Sequence, residues 1–338
     1  MSIEKDNFKK IGTFVPENPF FLAPMEAVNC ASFRVLCRRR GAGLVYTDMI
    51  DADVFYDFAK KKSEIEAIKK YVNLQDDEMP LAVQIGGGNL KSLSFIVQAI
   101  QKHIPKVSLI DMNIGCPLDY MIGKKGGCYL MKSPEELYNI TKKLRSIIKI
   151  PFTIKMRSGW DESSKNAIDI AKNLEKLGVD AITIHPRTRE QRYSKKSDWL
   201  YARKVKESVK IPVILSGDVT NIYTAYMGFA HSKCDYIMIG RGAKNNPSVF
   251  TKLLDWYRNP KIQPPKPEFV YDKNPKQAKK DFIEWLRLYK EREQRYSFTE
   301  IQDHALWTIV EVKGNVQMKN KILKCKNERD IVSVIKTI

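Results

Sequence analysis

The sequence predicts an α/β protein, a (β/α)8 TIM barrel followed by a small all-helical C-terminal domain. Three observations carry this expectation. Eight short apolar runs alternate with amphipathic stretches over about 240 residues, the usual span of such a barrel. Each run ends in polar or glycine residues. Beyond Trp256 the texture changes to prolines and then to helical periodicity alone.

The runs are residues 20–23, 44–47, 81–85, 107–112, 152–155, 181–184, 213–215 and 236–239. They are nearly continuously apolar, as strands of a parallel sheet buried on both faces must be. Helices are expected between them at 32–40, 63–71, 90–103, 134–148, 165–177, 199–208, 222–229 and 247–257. Ser133-Pro134-Glu135-Glu136 shows how one begins: a capping residue, a proline in the first turn, and acids near the positive end of the helix dipole. The expected domains are a barrel at 1–258, a proline-rich linker at 259–275 with five prolines, and a helical domain at 276–338.

Lys and Arg total 58 against 39 acids, a net charge of +19, and residues 259–338 carry 17 basic and 11 acidic side chains. This excess favours a polyanionic partner, nucleic acid before an anionic membrane. Apolar residues make up 43% of the chain, enough for a large core and against wholesale disorder. Six cysteines without a CxxC pair do not form a disulfide framework, and no run is long enough to span a bilayer. A reducing cytoplasm is the expected setting.

In a barrel the C-terminal ends of all eight strands meet at one rim, where active sites of this fold are built. Those ends read Pro24-Met25-Glu26, Asp48, Gln84, Asn113 through Cys116, Lys155 with Arg157, His185 with Arg187, Ser216-Gly217-Asp218 and Gly240-Arg241-Gly242. The last two resemble phosphate-binding loops. Glycine lets the backbone approach an anion closely, and Arg241 supplies charge. A phosphate fixed there belongs to a cofactor whose ring covers the barrel mouth. Lys155 ends an otherwise apolar strand, so its ammonium must meet solvent or a negative partner, for which a flavin ring near N1 is one candidate. Gln84 suits a ring edge, because its amide both donates and accepts. His185 reads either as a contact to cofactor phosphate or substrate, or as a structural barrel histidine. Cys116, where Pro117 stops the strand, reads either as an acid or nucleophile, or as a buried structural thiol.

Taken in order, Pro24-Met25, Gln84, Asn113-Ile114-Gly115-Cys116-Pro117, Lys155-Met156-Arg157, His185-Pro186-Arg187-Thr188, Ser216-Gly217-Asp218 and Met238-Ile239-Gly240-Arg241 resemble the tRNA-dihydrouridine synthases. The resemblance spans about residues 20–250 and extends loosely into the tail. It implies an FMN-binding barrel with a helical tRNA-binding domain, which uses NADPH to reduce chosen uridines of tRNA to 5,6-dihydrouridine. It also implies that Pro24, Met25, Gln84, Lys155, His185, Ser216, Gly217, Asp218, Gly240 and Arg241 hold FMN. Asn113 and Arg157 would then meet the substrate, and Cys116 would be the general acid. No metal and no membrane are implied, and a monomer is expected. Ser216 stands where asparagine is frequent, Cys128 stands where a small residue is usual, and Glu26 through Asn29 depart from the common bacterial form. Two other readings compete: a flavin barrel of the dihydroorotate dehydrogenase type acting on a free pyrimidine, and a non-catalytic RNA-binding protein. The small anionic substrate of the first does not need a basic helical appendage.

Overall fold

A computed structural model of the chain describes residues 8–259 and 273–338. Most of the expected linker, 260–272, lies outside the described residues. Nine strands form one parallel sheet: β1 (Phe20–Leu22), β2 (Val45–Tyr46), β3 (Ile50–Asp51), β4 (Leu81–Gly86), β5 (Leu109–Asn113), β6 (Phe152–Arg157), β7 (Ala181–His185), β8 (Val213–Ser216) and β9 (Tyr236–Ile239). Their order is β1-β9-β8-β7-β6-β5-β4-β2, with β3 also on β4. The ring closes where Phe21 bridges Leu44 and the Leu22 N–H donates to the Leu44 carbonyl at 2.9 Å.

The second expected strand, 44–47, is observed as β2. After Thr47-Asp48-Met49 a further short strand, β3, which the sequence did not suggest, pairs with Ile85 and Gly86. The helix after it, Ala52–Lys61, is one the periodicity did not reveal. Asp51 caps it by accepting the Asp53 and Val54 N–H groups at 2.9 and 3.1 Å.

Alternation along each strand sorts the side chains. Val83, Ile85, Ile110, Met112, Ile154, Ile182, Leu215 and Ile237 point outward and pack under the helices. Phe21, Leu44, Ala82, Leu109, Ala181, Ile214 and Tyr236 point inward and fill the lower barrel with Ile11, which plugs its floor. Phe21 and Tyr236 stack at 4.9 Å. One step higher the inward positions turn polar, with Gln84, Asp111 and Thr153 almost fully buried. A dry apolar floor therefore carries a polar upper layer, and this positions the site.

The C-terminal part forms four helices, Pro275–Arg292, Phe298–Thr308, Asn315–Lys324 and Glu328–Lys336. Gly314, at φ +78°, sits in the break after Thr308 and directly precedes the helix Asn315–Lys324. The first helix lies along Ala31–Arg39 of the barrel. Cys30, at the start of that barrel helix, makes no capping hydrogen bond with its side chain. Glu293 serves instead across the interface, accepting from the Ser32 N–H and hydroxyl at 2.8 and 2.9 Å. Arg40 bridges Asp281 and Glu284 at 2.7 and 2.6 Å. The Lys273 ammonium donates to the Thr308 and Val310 carbonyls at 2.6 and 3.2 Å, closing the end of helix Phe298–Thr308.

Candidate active site at the barrel mouth

A cleft of about 560 Å³, counted to its open mouth, lies between the ends of β1, β6, β7, β8 and β9. Its lining includes every expected cofactor residue except Gln84: Pro24, Met25, Lys155, His185, Ser216, Gly217, Asp218, Gly240 and Arg241. Gly242 of the second expected phosphate loop lines it too, as do Thr220 and Tyr193, which were not singled out from the sequence.

The two glycine loops are built by short-range necessity. Gly217 has φ +120°, and a Cβ there would meet the Ser197 hydroxyl at 2.2 Å and the His185 ring at 2.9 Å, so no side chain fits. A Cβ on Gly242 would meet the Thr220 Cα at 2.7 Å. Asp218, at φ +59°, accepts from Arg187 at 2.7 and 2.6 Å, from Arg241 at 3.1 Å and from the Ser197 N–H at 2.8 Å. Burial works against the charged form of Asp218, but Arg187 and these other donors hold its carboxyl below the usual range. Arg241 is about half exposed, so its guanidinium has donors left for an anion in the cleft. Its Cζ lies 4.8 Å from the centre of the Tyr193 ring, and Arg157 lies 5.6 Å from that ring.

Lys155 lines the cleft from β6. Burial, reinforced by the Arg157 charge, pulls its ammonium down to about 8. Burial, with Lys155 and Arg157 nearby, holds the His185 imidazole well below its ordinary value. It is therefore neutral, and its Nε2 accepts from Arg187 at 3.0 Å.

Gln84 does not line this cleft and sits on β4 beside Asp111 of β5. Its Nε2–H donates to Asp111 Oδ2 at 2.6 Å, and its Oε1 accepts from Asn113 Nδ2 at 2.9 Å. Thr153 donates to the other Asp111 oxygen at 2.6 Å. Burial pushes the Asp111 carboxyl up to about 6. Asn113 Oδ1 accepts the N–H groups of Gly115 and Cys116 at 2.9 and 2.8 Å. That turn sets Cys116, which is 9% exposed, at the end of β5 beside Lys155's strand. The loop beyond it folds into short helices, Asp119–Gly123 and Tyr129–Lys132. It returns to Cys116, whose carbonyl accepts the Cys128 N–H at 3.0 Å. Burial pushes the Cys116 thiol up, so it is protonated at neutral pH. Such a thiol suits proton donation better than nucleophilic attack.

Arg157 is buried. Its guanidinium donates to the carbonyls of Gly115 at 2.9 Å, Thr188 at 2.9 Å and Arg192 at 3.0 Å. It ties the cysteine turn to the loop after β7.

The cleft fits a phosphorylated flavin on its own terms. It has two close-approach glycine loops, a half-exposed arginine with donors to spare for phosphate, and the Lys155 ammonium in its lining.

Known proteins agree with this architecture. The family described as "Dihydrouridine synthase (Dus)" matches residues 21–337. A "Probable tRNA-dihydrouridine synthase" of Rickettsia conorii is 37% identical over 244 residues, covering 72% of each chain. "tRNA-dihydrouridine synthase B" of Pseudomonas putida is 31% identical over 249 residues, 74% of this chain and 72% of that one. Among solved structures, a 2-naphthoyl-CoA reductase complex superimposes with TM-score 0.58 at 14% identity, covering 75% of this chain and 52% of that one. Histamine dehydrogenase from Rhizobium sp. 4-9 gives TM-score 0.54 at 12% identity, covering 85% and 51%. These structural likenesses speak for the barrel fold alone. The polar rim, the cysteine turn on β5 and a family match over nearly the whole length lead to one conclusion: the chain belongs to the dihydrouridine synthase family.

Proposed function

We propose that the protein is a tRNA-dihydrouridine synthase that binds FMN, is reduced by NADPH and saturates the C5=C6 bond of particular uridines in tRNA. It works as a cytoplasmic monomer. Its barrel occupies about residues 1–258, and its helical domain, about 276–338, helps seat the RNA. The observation that carries this reading is Cys116, a protonated thiol held by the Asn113 turn one strand from a cleft built for a phosphorylated cofactor.

FMN bound in the cleft would supply the hydride for uracil C6. The protein's own groups do the rest. Arg241 and the backbone N–H groups of the loops at Gly217 and Gly240 would hold the FMN phosphate. Pro24, Met25, Ser216 and Lys155 would meet its ring, with Lys155 supplying positive charge, and neutral His185 would have its Nδ1–H to donate. Gln84 holds the Asn113 amide in place. Asn113 fixes the cysteine turn and keeps one N–H for the uracil. Arg157 positions that turn and stays behind the substrate. As charge builds at C5, the Cys116 thiol gives up its proton there, and solvent reprotonates the thiolate. The uracil must leave the RNA stack to reach the mouth, at a cost of a few kcal/mol that phosphate contacts offset.

The test is spectroscopic. The purified protein should carry flavin absorbance, bleach anaerobically with NADPH, and recover on adding tRNA but not free uridine or orotate. Recovery with the free pyrimidine alone would select the dihydroorotate dehydrogenase reading. A colourless protein that takes up no FMN would select the RNA-binding one.

A further inference from the structure

We propose that Asp111 is a positioning residue for the reaction: an acceptor-only group that sets the amide orientations of Gln84 and Asn113, and through them clamps the backbone of Cys116. This rests on the reading of Cys116 as the acid.

The inference follows from donor and acceptor polarity. Asp111 Oδ2 accepts from Gln84 Nε2 at 2.6 Å, Gln84 Oε1 accepts from Asn113 Nδ2 at 2.9 Å, and Asn113 Oδ1 accepts from the Cys116 N–H at 2.8 Å. A side-chain amide alone can face either way. Here both ends of the run are fixed. A carboxylate can only accept, and a backbone N–H can only donate. Only one orientation of each amide satisfies both ends. Asp111 is 0% exposed and Gln84 is 1% exposed, so water does not substitute for a lost partner. The second Asp111 oxygen accepts from Thr153 at 2.6 Å, which holds the carboxylate in register. Burial brings this carboxyl only to about 6, so it is ionised at neutral pH. Each amide nitrogen keeps one further N–H, so what Gln84 and Asn113 offer a ligand through nitrogen is a donor, set from Asp111.

The run makes a specific demand on paired substitutions. In Asn113→Asp, Gln84 Oε1 is left facing a carboxylate oxygen, and the repulsion pushes the side chain that holds the Cys116 N–H out of place. In the double variant Asp111→Asn with Asn113→Asp, Gln84 turns over. The Asn at 111 then donates to Gln84 Oε1, Gln84 Nε2 donates to the Asp at 113, and that Asp still accepts from the Cys116 N–H. Every group is paired again.

The experiment is peptide-resolved alkylation of Cys116 by iodoacetamide in the purified full-length protein, with melting temperature recorded alongside. Asn113→Asp should raise the Cys116 rate roughly tenfold, the scale of one lost buried hydrogen bond. Asp111→Leu should do likewise. The double variant should return within about twofold of the wild-type rate. If Asn113→Asp does not fold, recovery of folding by the double variant counts the same way. A wild-type rate in both single variants, or a double variant no slower than Asn113→Asp, overturns the proposal. Flavin reoxidation by tRNA separates the two claims. A variant with fast alkylation and wild-type reoxidation leaves the hydrogen-bond run standing and removes Cys116 as the acid.

Discussion

At the residue scale, the decisive group is the Cys116 thiol. As a proton donor to C5 it takes no part in loading or reducing the flavin. Cys116→Ala should therefore bind FMN and bleach with NADPH at near-normal rates. Its reoxidation by tRNA should fall about 10²–10⁴-fold, the range of general acid catalysis. Rapid mixing resolves the two steps, and reoxidation at the wild-type rate would return Cys116 to a structural role. Lys155 gives a second test. It titrates near 8 in the fold against 10.5 in an open chain. Between those values the unfolded chain binds a proton that the folded one does not, so stability rises with pH across that window. Below about 8 the fold carries the whole penalty of a desolvated ammonium. Lys155→Met should thus stabilise the flavin-free protein at pH 7, by at most about 3 kcal/mol, with the advantage shrinking above pH 8. Thermal melts across pH check the sign. Most rim residues were legible because a polar group at the end of an apolar strand has few structural excuses. Asp111 was passed over although it breaks the same rule inside β5. Arg157 was visible as a rim cation, but its partners Gly115, Thr188 and Arg192 come together only in three dimensions.

At the element scale, the paired loops after β8 and β9 and the docking of the helical part matter most. Arg241→Ala should purify with far less flavin, since a charge-assisted phosphate contact is among the stronger polar interactions. Full flavin occupancy in that variant would place the phosphate elsewhere. Glu293→Ala removes the capping acceptor of helix Ala31–Arg39 and should lower stability by about 1 kcal/mol, read as a lower melting temperature. The sequence did not show this cap, because the capping residue lies some 260 positions away in the chain. Elements with broad apolar faces were legible. Ala52–Lys61 was not, because it buries only Ala52, Phe55 and Ala59, and two of these are small. Asn315–Lys324 buries only Ile322, which leaves almost no period to read. β3 was hidden because Ile50 and Asp51 are too short a run to register as a strand.

At the scale of the whole molecule, the net charge of +19 gains a purpose if tRNA phosphates lie across the barrel rim and the helical part. Lys319, Lys321 and Lys324 are exposed on one C-terminal helix, whose removal from water-facing duty would not disturb the core. Changing all three to Ala should weaken tRNA binding and reduce the slope of log affinity against log salt by up to about 3, while flavin content stays unchanged. An unchanged slope would move the RNA path off this helix. Among the described residues no helix is long and apolar enough to cross a membrane. The most direct test of the whole account is to incubate the purified protein with NADPH and unmodified tRNA and to map modified nucleosides by mass spectrometry. The account predicts a two-hydrogen mass gain at particular uridines, present with the wild-type protein and lost with Cys116→Ala. A flavin-loaded, NADPH-reducible protein that leaves every tRNA uridine unchanged would contradict it.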